Sequence, residues 1–110
     1  MNENALRIQP TSEDLQERFE ALQHEFERAT SAEQASFAFL AQCREACRSS
    51  ETAFERSGEL ADLQTWKDAE SVWVRAREEH SDAHVRKTTL KIQVETLRYH
   101  LRRRNSEIGS

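Results

Sequence analysis

Glycine and proline are nearly missing from this chain: its 110 residues include two glycines and one proline. Because these residues mark most loops, their scarcity leaves room for very few turns. Strand signals are missing too, since no β-branched run alternates with polar residues over the length of a strand. What remains, 36% hydrophobic and 33% charged residues, is typical of long exposed helices. We predict an all-α protein with a core of modest size.

Long apolar runs and a dense cysteine framework are also absent. No stretch approaches the ~20 apolar residues of a membrane-spanning helix. The segment from Met1 to Pro10 lacks the basic start and apolar run of a secretory signal. Two cysteines are too few for a disulfide scaffold and suit a reducing compartment. We therefore predict a soluble, cytoplasmic protein that does not bind membranes.

Recognisable catalytic motifs are a further absence. The sequence has no glycine-rich phosphate loop, no nucleophile elbow and no pair of carboxylates that marks a catalytic pocket. We predict that the protein is not an enzyme and uses neither a cofactor nor a small-molecule substrate.

Two pairs of residues in the sequence have side chains that can bind metals. Cys43 and Cys47 are four residues apart, as are His80 and His84. Zinc needs about four ligands, and no second cysteine pair exists. We predict that the cysteines are small core residues, that the histidines are solvated or lie at the edge of the core, and that no metal is bound.

A strict apolar repeat runs through the sequence on both sides of Gly58. Its spacing alternates between three and four residues, which is typical of a helix that packs along a partner helix. Before Gly58 the repeat consists of Leu15, Phe19, Leu22, Phe26, Ala29, Leu40, Cys43, Cys47 and Phe54; after it, of Trp66, Ala69, Trp73, Ala76, Ala83, Leu90, Val94, Leu97 and Leu101. We call these positions the seam.

The repeat predicts a long antiparallel helical hairpin, similar to a coiled coil, with its turn at Ser57-Gly58. Folding about Gly58 places residue i opposite residue 116 − i. Thr11 or Ser12 caps the first helix, and the second runs from about Leu60 to Arg104. We expect one helical domain over residues 11–105, with a flexible N-terminal arm at 1–10 and a flexible tail at 106–110.

The middle of the repeat leaves a second architecture open. Its layers bury little: Ala29/Lys87, Glu33/Ala83 and Ser36/His80. A capping-box pattern at residues 31–34 and a Ser-Asp pair at 81–82 could start new helices there. The alternative is a compact four-helix bundle with extra breaks near 30 and 81. The narrow seam favours the hairpin, since compact bundles need a wider apolar face.

Apolar residues outside the seam are the feature of the sequence that most strongly indicates a function. Val85, Ile92 and Tyr99 are spaced by sevens on the outer face of the second helix, and Phe37 and Phe39 flank the seam of the first. A regular apolar stripe on an outer face favours a partner or self-association surface. We predict a non-enzymatic interaction module (an adaptor, assembly factor or chaperone-like subunit) that binds protein partners and forms a homodimer.

Charge is distributed unevenly and supports an alternative function. Residues 1–84 contain 18 acidic and 9 basic side chains, whereas residues 85–110 contain 2 acidic and 7 basic ones. Arg98, Arg102, Arg103 and Arg104 form a basic end that could contact nucleic-acid phosphates. The acidic chain as a whole and the negative C-terminal end of a helix explain the same cluster without nucleic acid.

A second alternative comes from the five residues Ala83-His84-Val85-Arg86-Lys87. They resemble the His-x-x-Lys core of histidine phosphotransfer domains, which are four-helix bundles of similar length. The resemblance implies that His84 would accept a phosphoryl group. The sequence departs from the family at Thr88, where the family has glycine, and this departure weakens the assignment.

Overall fold

The fold is a helical hairpin, as the seam predicted. The computed structural model describes residues 11–109, of which 97% are helical, with no strand among them. Helix α1 spans Ser12–Ser57 and helix α2 spans Leu60–Gly109. Both helices continue without interruption past residues 30 and 81, so the four-helix alternative is not favoured. Neither helix has an apolar segment, within the described residues, long enough to cross a membrane.

The structure tests the predicted end of α2 but not the predicted N-terminal arm. The predicted arm at residues 1–10 lies outside the described residues. Helix α2 continues to Gly109, beyond the end predicted at Arg104.

The described chain also divides into two compact units. The terminal unit combines residues 11–28 with residues 88–109, and the turn unit is Ala29–Lys87.

Thr11 caps helix α1, as its residue type predicted. The Asp14 backbone N–H donates to Thr11 Oγ1 at 3.0 Å, and the Thr11 backbone N–H donates to Asp14 Oδ2 at 3.2 Å. This reciprocal pair is a capping box, in which each side chain satisfies a backbone donor that the helix leaves unpaired. Hydrogen bonding to the side chain and backbone of Thr11 holds the pKa of the Asp14 carboxyl below its ordinary value.

Gly58 ends α1 in the left-handed conformation, with φ at +68°. Its backbone N–H donates to the Phe54 carbonyl at 2.8 Å, which closes the helix end. Ser57 organises the start of the next helix, because its Oγ accepts the Glu59 backbone N–H at 3.1 Å and donates to the Asp62 carboxylate. The predicted turn at Ser57-Gly58 is therefore confirmed.

We expect Gly58→Ala to lower the free energy of unfolding by about 1 kcal/mol, since a left-handed φ strains any residue with a Cβ. The added Cβ would meet no atom within 4 Å, so backbone strain is the whole cost. Gly58→Asn should lose less, because asparagine tolerates this conformation. Urea unfolding of the three proteins measures the difference. Equal stability of the alanine variant would show that the turn does not require the left-handed conformation.

Every predicted seam residue is buried or half-buried, so the helical phase is correct. In the terminal unit Leu90, Val94 and Leu101 are buried. In the turn unit the buried residues are Ala29, Cys43, Cys47 and Ala76. The remaining seam positions are half-buried. The predicted register is also observed in the turn unit, where Ser36 Oγ lies 3.0 Å from His80 Nδ1.

Candidate interaction surfaces

A polar layer joins the two helices within the turn unit. Glu33 Oε2 accepts a hydrogen bond from His84 Nδ1 at 3.1 Å, and Glu33 Oε1 lies 3.4 Å from Lys87 Nζ. Ser36 and His80 form the next contact, and the centroids of the Phe37 and His80 rings are 5.6 Å apart. The three layers that the sequence marked as weak are thus linked mainly by polar side chains, beside the buried Ala29.

The histidines and cysteines occupy different environments. His84 is mostly exposed and pairs with Glu33, while His80 is half-buried against Ser36. Cys43 and Cys47 are buried in the turn unit with free thiols. No group of three or more His, Cys, Asp or Glu side chains in the described part of the chain is placed to hold a metal ion.

Partial burial of Glu33 raises the pKa of its carboxyl, but the hydrogen bonds from His84 and Lys87 together lower this pKa by more than burial raises it. The pKa of Glu33 is therefore below its ordinary value of 4.5. A carboxyl whose pKa is lower in the folded chain than in the unfolded chain stabilises the fold at pH values above its unfolded-state pKa. This stabilisation is lost as the pH falls through the folded-state pKa. We expect the difference in melting temperature between wild type and Glu33→Gln to shrink as the pH falls below about 4.5.

Thermal melts between pH 7 and pH 3 test this expectation. Glu79→Gln is the matched control, because Glu79 is an exposed carboxylate on α2 outside these contacts. A pH dependence of Glu33→Gln that equals that of Glu79→Gln would contradict the assigned role of the Glu33 pairs.

Large apolar side chains outside the seam are exposed in both units. In the terminal unit Ile92 is 59% and Tyr99 60% exposed. In the turn unit Val85 is 60% and Phe37 62% exposed, and Phe39 is exposed as well. The structure therefore leaves all five predicted surface residues accessible to a partner.

The four arginines of the predicted basic end have different surroundings. The Arg98 guanidinium packs over the Phe19 ring, 5.6 Å from its centroid, and Arg98 is half-buried. Arg103 Nε lies 3.4 Å from Glu107 Oε1. Arg102 is exposed and Arg104 is half-buried. Within this unit an aromatic ring thus engages Arg98 and a carboxylate engages Arg103.

A groove in the turn unit brings together residues of both helices that their spacing in the sequence does not group. It has a volume of about 410 Å³. The Arg77 guanidinium lies over the Trp73 ring, 5.6 Å from its centroid. The groove is lined by Phe37, Leu40, Ala41, Arg44, Glu45, Arg48, Trp73 and Arg77. We call it the arginine groove.

A sequence signal for the arginine groove exists on α1. Phe37, Ala41, Arg44 and Arg48 follow the same spacing of fours and threes as the seam, one position after it. Trp73 and Arg77 are four residues apart on α2. Only the hairpin register shows that these two series face a common groove.

No family model matches the chain, and comparison with curated proteins and with solved structures finds no significant match either.

Proposed function

We propose that this chain is a non-enzymatic helical protein–protein interaction module of the cytoplasm, an adaptor, assembly factor or chaperone-like subunit, and that it self-associates as a homodimer. The observation that carries the proposal is the exposure of Ile92 and Tyr99, two large apolar side chains that lie seven residues apart on α2. The free thiols of Cys43 and Cys47 are compatible with a reducing compartment.

The physical reason for association is apolar burial. A two-helix hairpin covers one narrow stripe on each helix, and Ile92 and Tyr99 lie outside it. Covering such side chains contributes roughly 25 cal/mol for each Å² of apolar surface removed from water. A two-fold dimer lets the same surface of each copy cover its counterpart, which is the commonest symmetry of homo-oligomers. Val85, seven residues before Ile92 in the sequence, is exposed to a similar extent.

We expect the wild-type chain to form dimers at micromolar concentration and Ile92→Glu to weaken dimerisation by about tenfold or more. A carboxylate moved from water into an apolar contact without a partner costs well over the 1.4 kcal/mol that corresponds to tenfold. Sedimentation equilibrium over a concentration series measures the association, and circular dichroism checks that helicity is retained.

Gln93→Glu is the matched control, because Gln93 is exposed on the adjacent position of α2 and the change adds the same charge. It should dimerise within about twofold of wild type. A wild-type chain that sediments as a monomer at several hundred micromolar would contradict self-association and would leave Ile92 and Tyr99 available for a different protein.

A further inference from the structure

The arginine groove combines an apolar floor with an excess of positive charge. Its apolar part is formed by Phe37, Leu40, Ala41 and Trp73. Three guanidinium groups, those of Arg44, Arg48 and Arg77, accompany a single carboxylate, that of Glu45. This charge excess is local, because the turn unit as a whole has 11 acidic and 8 basic side chains over residues 29–87.

The three guanidinium groups have no carboxylate partner within the described residues 11–109. The ion pairs found there involve other side chains, and Arg77 instead stacks on Trp73. Arg44, Arg48 and Arg77 are all exposed. A guanidinium group pairs best with carboxylates, through charge-assisted and often bidentate hydrogen bonds. The groove therefore offers three cations to an external group.

The dimensions of the α1 wall suit a third helix. Phe37 to Arg48 covers eleven residue steps, which is about 16 Å or three helical turns at ~1.5 Å per residue. An amphipathic helix that lies in a groove uses apolar anchors at i, i+3 or i+4, and i+7, which span about 10 Å and so fit within this length. Tryptophan and arginine are also the residue types that contribute most at protein interfaces.

From this charge complementarity we infer that the arginine groove docks an acidic amphipathic helix of a partner protein. Its apolar side chains lie on Leu40, Ala41 and Trp73, and its flanking Asp or Glu side chains pair with Arg44, Arg48 and Arg77. The inference deepens the proposed role as an interaction module, but it concerns a surface that does not include Ile92 or Tyr99.

The net negative charge of the turn unit repels any polyanion at longer range, an acidic helix included. Binding of an acidic helix therefore depends on short-range contacts: the groove arginines for its carboxylates and the apolar floor for its apolar side chains. A nucleic acid that pairs with the arginines alone is the alternative occupant, and a competition experiment distinguishes the two.

The test uses the full chain and two synthetic peptides of 18 residues, labelled with fluorescein. Both have leucine at positions spaced by fours and threes on an alanine-rich helix. In the acidic peptide glutamate flanks the leucines, and in the control peptide glutamine replaces each glutamate. Fluorescence anisotropy should show that the wild-type chain binds the acidic peptide at least tenfold more tightly than the control peptide.

Charge reversal on the protein provides an independent comparison. Arg44→Glu and Arg48→Glu should each weaken binding of the acidic peptide by tenfold or more, while Arg75→Glu, an exposed arginine of α2 outside the groove, changes it less than twofold. Arg44→Gln is the milder second variant if charge reversal disturbs folding. Ile92→Glu should bind the peptide like wild type, so loss of self-association and loss of groove binding are separable.

Three results would overturn the inference. The first is equal affinity for the acidic and glutamine peptides, and the second is no detectable binding of the acidic peptide at 100 μM chain. The third is displacement of the bound acidic peptide by an equimolar single-stranded oligonucleotide, which would identify a general polyanion surface instead.

Discussion

Truncation of Leu90 to alanine should lower the free energy of unfolding by about 2–5 kcal/mol, the usual range for a buried leucine. Leu90 is 7% exposed and is buried together with Val94 and Leu101 on α2 in the terminal unit. The core of this unit is a single stripe on each helix, so few neighbours can move to fill the space. In a chain of this size each kcal/mol corresponds to roughly 3–6 °C of melting temperature.

Ile92→Ala is the matched control for Leu90→Ala, because it removes an aliphatic side chain of the same size two residues further along α2. Ile92 is 59% exposed, so its truncation should change the melting temperature by only a few degrees. Both variants are compared at a concentration low enough to keep the chain monomeric, which removes any contribution from association. An equal loss in the two variants would mean that the assigned helical phase of α2 is wrong.

Truncation of Trp66 to alanine should cost about 3 kcal/mol in the turn unit. The Trp66 ring stacks on the Phe54 ring with 5.9 Å between centroids and 28° between planes, and both residues are half-buried. Tryptophan truncation in a full core costs about 3–5 kcal/mol. Partial exposure places the expected loss at the lower end of that range. The stack closes the hairpin next to Gly58, where Phe54 also accepts the capping hydrogen bond.

Two variants separate the stack from general effects near the turn. Trp66→Phe keeps an aromatic ring opposite Phe54 and should recover at least half of the loss. Leu60→Ala also removes a large apolar side chain near the turn, but Leu60 is 81% exposed and its truncation should leave the melting temperature nearly unchanged. Thermal unfolding followed by circular dichroism measures all three. A loss in Leu60→Ala equal to that in Trp66→Ala would show that the stack does not stabilise the turn.

The sequence by itself determined the two helices, their turn and their buried faces. An alternation of threes and fours keeps one face of a helix towards its partner, so the seam could be written down residue by residue. Thr11 and Gly58 mark ends of α1 through their own backbone and side-chain chemistry, which is local. These features depend on residues within one or two helical turns of each other, and such information is present in the sequence.

The tertiary structure decided the middle of the hairpin and the arginine groove. Capping signals near residues 30 and 81 left a four-helix bundle open. Within the turn unit both helices instead remain continuous, with Glu33 bonded to His84 and Lys87 across the pair. The arginine groove is lined by Arg44 and Arg48 of α1 and by Trp73 and Arg77 of α2. Such contacts join residues that are distant in sequence, so local periodicity does not specify them. They depend on the register of the two packed helices and on the directions of their side chains.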